Sequence, residues 1–282
     1  MKQKEITGAF KKGVLIYSFL LLLLFFLLSF HALASPAPKI ISLAPDLTEM
    51  VYALNLEDHL VAVSEYSDFP PQAKKLPIVG SFISPNIEKI LFLHPSTVLA
   101  REGATPAELL QTLQKNKIEV LSFPAQTEKD IYATLFTLGK KFNKAEKARS
   151  LIKNMKENLA HIQKHTSDFQ KPRVLIQIEE VPLMVAGKNT LPHRAIELSG
   201  GLNITSSYQG YPKLQREVLL KLNPDIIIIP ETSGQEEKVK RMKALWKGKR
   251  IYIISGDLLT RATPRFIEGV TALSKKIHEP SF

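Results

Sequence analysis

The sequence predicts an α/β protein: two similar lobes with parallel-type sheets, joined by one long rigid α-helix, with a cleft between the lobes. Three observations carry this expectation. Short β-rich runs alternate with helix-length amphipathic runs, the grammar of βα units with largely parallel pairing. A fifteen-residue block recurs later in the chain at a fixed offset. An unbroken helical stretch without Gly or Pro lies between the two copies.

A leader precedes the first strand. Residues 1–13 carry Lys2, Lys4, Lys11 and Lys12 against Glu5, and Val14 to Phe30 is an uncharged apolar run. Ala32-Leu33-Ala34 then supplies a small-x-small cleavage pattern, so residues 1–34 read as a signal peptide and Ser35 as the new first residue. The apolar run also approaches the minimum length of a membrane span, and a retained anchor is the alternative.

The elements follow from Lys39. "KIISLA" (39–44) reads as a strand, "DLTEMVYALN" (46–55) as a helix and "HLVAVS" (59–64) as a second strand. The segment 64–82 holds three prolines and a glycine, too many for a helix interior or a central strand, and reads as a shaped loop. "NIEKILFLH" (86–94) is helical, "STVLA" (96–100) a strand, "TPAELLQTLQKN" (105–116) a helix and "IEVLSF" (118–123) a strand. The same grammar restarts at "RVLIQI" (173–178) and runs to "IYIIS" (251–255).

The restart is nearly literal. "NIEKILFLHPSTVLA" (86–100) lies on "QREVLLKLNPDIIII" (215–229) at an offset of 129, pairing Glu88 with Glu217, Ile90 with Leu219 and Pro95 with Pro224. Such repetition fixes architecture: two copies of one α/β unit. Between them, Ala145, Ala148, Leu151, Ile152, Met155, Leu159 and Ile162 follow the spacing of one helical face. The stretch 143–168 would span about 38 Å, a stiff connector rather than a flexible linker. The expected division is leader 1–34, first lobe 35–142, connecting helix 143–170 and second lobe 171–282.

Composition narrows the class. The chain has no cysteine, so an exported form must be held by its core rather than by disulfides, and no acylated cysteine can tether it. The 248 residues after the leader are enough for such a core. The expected location is a periplasm. Net charge is +11, and the leader's four lysines and one glutamate leave +8 on the remainder. The export signal and the spread of lysines along helical stretches argue against a nucleic-acid partner. The densest run, Glu236 to Arg250, has Val239, Met242, Leu245 and Trp246 at helical spacing and reads as an amphipathic helix with a solvated basic face.

In open α/β domains, ligands sit beyond the C-terminal ends of the strands. The loop 64–82 leaves its strand at that end and carries Tyr66 and Phe82; "PDL" and "REGA" leave the same edge. In the second lobe the matching exits are "EEVPLMVAG" (179–187), "YQGYP" (208–212) and "SGDLLTRATPR" (255–265). Facing loops with Tyr, Phe, Met, Arg and Asp make a recognition cleft.

At this level of detail the chain resembles the periplasmic substrate-binding proteins of ABC importers in the class with a rigid interdomain helix, and within it the cobalamin-binding family. The features that carry the resemblance are "SLAPDLTE", "YSDFPPQAKKLP", "NIEKIL", "AGK", "LSGGLNI", "QREVLL", "NPDIII" and "RATPR", in order across residues 39–277. The resemblance implies capture of cobalamin, or of a similar large chelate such as a ferric siderophore or haem, as cargo, with no cofactor and no catalysis. It implies delivery to the transmembrane subunits of an ABC permease, docked through Glu88 and Glu217. It implies ligand contacts at Tyr66, Phe82, Arg101, Met184, Tyr211, Asp257 and Arg261. Several of these depart from the family's aromatics: Arg101 and Phe82 stand where tryptophans are usual, Met184 for a phenylalanine and Tyr211 for a tryptophan. A corrin ring needs apolar, π-rich walls, which Phe, Met and Tyr can still provide, whereas Arg101 and Arg261 would also suit a carboxylate-bearing ligand.

Two rival classes have less behind them. Transition-metal capture needs converging His and carboxylates; His161 and His165 sit on the connecting helix, and His59, His94 and His193 are scattered. No metal ligand is therefore assigned. An enzyme would need a nucleophile elbow, a phosphate loop or a dinucleotide fingerprint, and none is present. Ser67-Asp68 alone, with no visible base, does not make a nucleophile site.

Overall fold

Four short parallel strands form the first sheet: β1 (Ile40–Ser42), β2 (Leu60–Val63), β3 (Thr97–Arg101) and β4 (Glu119–Phe123), in the order β2-β1-β3-β4. Helices α1 (Pro45–Ala53), α2 (Ile87–Phe92) and α3 (Ala107–Lys115) connect them, and α4 (Glu128–Lys141) follows β4. The computed structural model describes residues 17–19, 37–231 and 236–279, so the leader expected over 1–34 lies outside the described residues except for 17–19. From Lys39 onward the chain is one compact unit.

After the connecting helix α5 (Ala145–Thr166), the second sheet repeats the winding of the first. Strand β5 (Arg173–Glu179) carries a short antiparallel partner β6 (Met184–Val185). Helix α6 (Leu191–Leu198) leads to β7 (Leu202–Asn203), α7 (Arg216–Lys221) to β8 (Ile226–Glu231), and α8 (Glu236–Leu245) to β9 (Arg250–Ser255). The parallel order is β7-β5-β8-β9, the counterpart of β2-β1-β3-β4. Two last helices, α9 (Gly256–Thr260) and α10 (Phe266–Ile277), close the chain.

The offset seen in the sequence survives in space. Helix α2 shifted by 129 residues gives the bounds of α7, and the start of β3 gives the start of β8. Ile90 and Leu219, paired by that offset, are both fully buried, as are Leu113 of α3 and Met242 of α8.

Strand side chains alternate between two buried faces, as expected of parallel sheets covered on both sides. On one face Ile41, Ala62 and Val98 pack under α2 and α3 with Ile90 and Leu113. Leu175, Ile227 and Ile229 do the same in the second lobe with Leu219, Met242 and Trp246. The opposite faces share a single core: Ile40 and Leu99 of the first sheet join Val174, Ile226 and Ile228 of the second, with Met155 and Leu159 of α5 between them. One contiguous apolar core through both lobes resists their separation more than a helix alone would.

Helix α5 starts at Ala145 rather than at 143 because Asn143 takes a left-handed φ of 57°, which breaks the helix after α4. The two helices then pack so tightly that a Cβ on Gly139 would lie 2.5 Å from the Ala148 methyl, leaving no room for any other residue. The basic stretch 236–250 holds the expected amphipathic helix, with Val239 and Met242 buried and Lys240 and Lys243 exposed, over a shorter span. Helix α8 ends at Leu245, and Trp246 beyond it is buried with its indole N–H donating to Gln177 at 2.5 Å. Its cationic face is partly engaged: Lys238 pairs with Glu179, the last residue of β5, and Arg241 with Glu180 just beyond it.

Candidate ligand cleft

Because the strands of each sheet are parallel, the exits of β1, β2 and β3 share one edge, and those of β5, β8 and β9 another. These two edges meet. Asp46, in the first turn of α1 after β1, accepts the backbone N–H of Ala262 from the second lobe at 3.3 Å. Glu49, one turn on, is chelated by Arg265, whose Nε and Nη2 donate at 2.9 and 2.8 Å. Glu128 at the start of α4 makes a second bridge, accepting two bonds from Arg194 of α6 at 3.0 and 2.8 Å. Burial would raise the Glu128 pKa, but the hydrogen bonds and charge of Arg194 hold it below the usual carboxylate value.

Tyr66, Asp257 and Arg261 are brought together at this junction. Tyr66 exposes 74% of its surface and sits at φ 62°, a left-handed conformation uncommon for a bulky residue. Arg261 reaches it from the second lobe: Nη2 donates to the Tyr66 carbonyl at 3.3 Å, and Nη1 to Asp68 at 2.8 Å and Glu49 at 3.0 Å. Its Nε lies 3.1 Å from Asp257. Burial acts to lower the guanidinium pKa, and the bonds to Asp68 and Glu49 outweigh it and raise the value.

The structure places Arg101 differently from an open wall residue. It is 6% exposed, and its guanidinium turns inward to Asp46, with Nε–Oδ1 at 3.1 Å and Nη2–Oδ2 at 2.8 Å, and to the Pro124 carbonyl at 2.8 Å. Arginine's planar fork matches a carboxylate bidentately, and Asp46 is the nearest one.

Phe82, 40% exposed, stands on a tight turn closed by the Gly80–Pro85 bridge. Met184 and Tyr211 belong to one zipped pair of segments in the second lobe. Met184 bridges Lys213, Val185 donates to the Pro212 carbonyl at 3.2 Å and Gly187 to the Gly210 carbonyl at 2.8 Å. A Cβ on Gly187 would lie 2.4 Å from the Tyr208 carbonyl, so only glycine permits this zip. Tyr211 exposes 44% of its surface, yet the protein around its phenol desolvates it enough to push the pKa up to about 12.

The first-lobe loop is held from beneath by buried hydroxyls: Thr48 Oγ1 lies 3.0 Å from Ser42 Oγ and 3.1 Å from Ser67 Oγ, and the Ser64 and Ser67 hydroxyls are 3.3 Å apart. Ser67 is thus a structural member of a hydroxyl chain. Glu88 and Glu217 are exposed on α2 and α7. Beside Glu88 an apolar groove of about 630 Å³ is lined by Ile78, Phe92 and Leu93, with Phe92 81% exposed.

Asp46, Glu49, Glu128, Arg194 and Arg265 were missed as junction residues from sequence. Asp46 and Glu49 lie in "SLAPDLTE" and Arg265 ends "RATPR", so acids in the one motif and arginines at the ends of the other were the available signal.

A model of the periplasmic binding proteins matches residues 40–249. The chain belongs to the periplasmic binding protein family. Over 262 residues this binding protein is 31% identical to the vitamin B12-binding protein of Photorhabdus laumondii, covering 91% of this chain and 94% of that one. The crystal structure of the periplasmic vitamin B12 binding protein BtuF of Vibrio cholerae superimposes with a TM-score of 0.74 at 29% identity, covering 86% of this chain and 97% of that one. A periplasmic haem binding protein from Pseudomonas aeruginosa shares the fold, with a TM-score of 0.78 at 23% identity, covering 86% and 93%.

Proposed function

We propose that this binding protein captures cobalamin as cargo in the periplasm and delivers it to the transmembrane subunits of an ABC importer. The observation that carries the ligand choice is the state of the cleft arginines. Arg101 is engaged by Asp46, and Arg261 by Glu49, Asp68 and Asp257. Carboxylate-bearing ligands such as haem or an acidic siderophore need free cations, whereas a corrinoid needs apolar and aromatic walls. Tyr66, Phe82, Met184 and Tyr211 offer those walls, with Asp257 and Arg261 at the lobe junction beside Tyr66. The likeness to vitamin B12-binding proteins along nearly the whole chain supports the same choice.

In this reading the protein binds and releases its cargo unchanged, without catalysis and without a cofactor or metal of its own. The leader is removed near Ala34. Glu88 and Glu217 dock on cationic pockets of the permease, one from each lobe.

Calorimetric titration tests the ligand. The purified protein, unfolded and refolded to strip bound cargo, should bind cyanocobalamin one-to-one and bind haemin more weakly. Tight haemin binding with no heat from cyanocobalamin would overturn the choice.

A further inference from the structure

We propose that Arg261 is a positioning residue of the cleft: from the second lobe it fixes the backbone of Tyr66 in the first, and so sets the direction of the Tyr66 ring. The inference rests on the reading of Tyr66 as a cleft wall, and adds how that wall is held. It differs from an arginine that grips the ligand directly.

The geometry supports a holding role. Tyr66 is neither Gly nor Asn, yet it sits at φ 62° with its ring largely in solvent. A left-handed conformation is unfavourable for a bulky L-residue, so surrounding contacts must impose it. On its two sides Glu65 donates to the Gly80 carbonyl at 2.9 Å and Ser67 to the Ser64 carbonyl at 3.3 Å. The Tyr66 carbonyl itself accepts from the Asp68 N–H at 3.0 Å and from Arg261 Nη2 at 3.3 Å. Arg261 is the only one of these partners that comes from the other lobe, so it alone ties ring direction to lobe spacing.

Arg261 is in turn held by Glu49, Asp68 and Asp257. A planar fork with five N–H donors can serve three carboxylates and a carbonyl at once; an ammonium cannot span that arrangement. With its donors directed at protein acceptors, the guanidinium acts through Tyr66 rather than on cargo.

The test is a double-mutant cycle read by cyanocobalamin affinity, with a second readout that needs no ligand. Arg261→Lys keeps the charge next to Glu49 and Asp68 and guards against a failure to fold; Arg261→Gln removes it. Each should weaken binding about tenfold, the scale of one lost charge-assisted hydrogen bond. Both losses should vanish in a Tyr66→Ala background, because the ring they orient is gone. Additive losses would mean that Arg261 touches the ligand itself and would overturn the proposal. The second readout is the ¹⁹F resonance of fluorotyrosine placed at position 66. It should be single and narrow in the unliganded parent, and shifted or broadened in both Arg261 variants. An unchanged resonance would overturn the proposal whatever the ligand. If the parent fails to bind cyanocobalamin while the resonance responds, the ligand assignment fails and the positioning role stands.

Discussion

Asp46 joins an ion pair within the first lobe to a hydrogen bond from the second. Its carboxylate faces Arg101 in a pair buried on both sides and also receives the Ala262 N–H from the other lobe. Removing one partner of a buried pair leaves an uncompensated charge, at a cost of about 3–5 kcal/mol. Asp46→Ala should therefore lower the unfolding free energy by about that amount in chemical denaturation; a loss under about 1 kcal/mol would mean that water reaches Arg101 freely. Arg101 was legible in sequence as a strand-exit residue, and it is one. Strand position says where a side chain leaves the sheet but not what meets it. Its partner lies 55 positions away in sequence, and only the fold of β1 beside β3 brings Asp46 under the guanidinium.

At the scale of elements, the pairing of α4 with α6 makes stability depend on pH. The Glu128 pKa is depressed below its usual 4.5 by Arg194 despite burial. A depressed carboxylate contributes stability that is fully present above its unfolded pKa and lost as pH falls through the folded value. The melting-temperature gap between the parent and Glu128→Gln should stay constant between about pH 8 and pH 5, then shrink below about pH 4.5. A gap that persists unchanged under acid conditions would show that the pair is not the source. Helix α4 was not singled out from sequence, although Thr127 and Asp130 announce its start: the Asp130 carboxylate accepts the Thr127 N–H at 2.8 Å. The two-residue strands β6 and β7 were not legible at all, because periodicity needs more than two residues to register. The strongly apolar runs β3, β5 and β9 were read within a few residues of their observed ends.

From Lys39 onward the molecule is two copies of one winding, pressed together through a shared core and clamped at the strand exits by Glu49–Arg265, Glu49–Arg261 and Glu128–Arg194. The repeat made the architecture readable because it doubled each signal: Glu88 and Glu217 were paired by offset alone, and both are exposed on equivalent helices. The ion pairs across the junction were not readable, since they join residues from 66 to 216 positions apart only after folding. If the two glutamates dock the permease, Glu88→Ala with Glu217→Ala should leave cyanocobalamin affinity unchanged while cellular uptake falls at least about tenfold, the scale of two lost charge-assisted contacts. Uptake at the parent level would remove the docking assignment.

The proposed function turns on selection of a corrinoid over anionic chelates of similar size. Native mass spectrometry of the stripped protein, equilibrated with equal amounts of cyanocobalamin, haemin and a ferric siderophore, puts the three in direct competition. A dominant one-to-one cyanocobalamin adduct is the expected outcome. A dominant haemin or siderophore adduct would contradict it, and would mean that the carboxylates around Arg101 and Arg261 give way to the ligand.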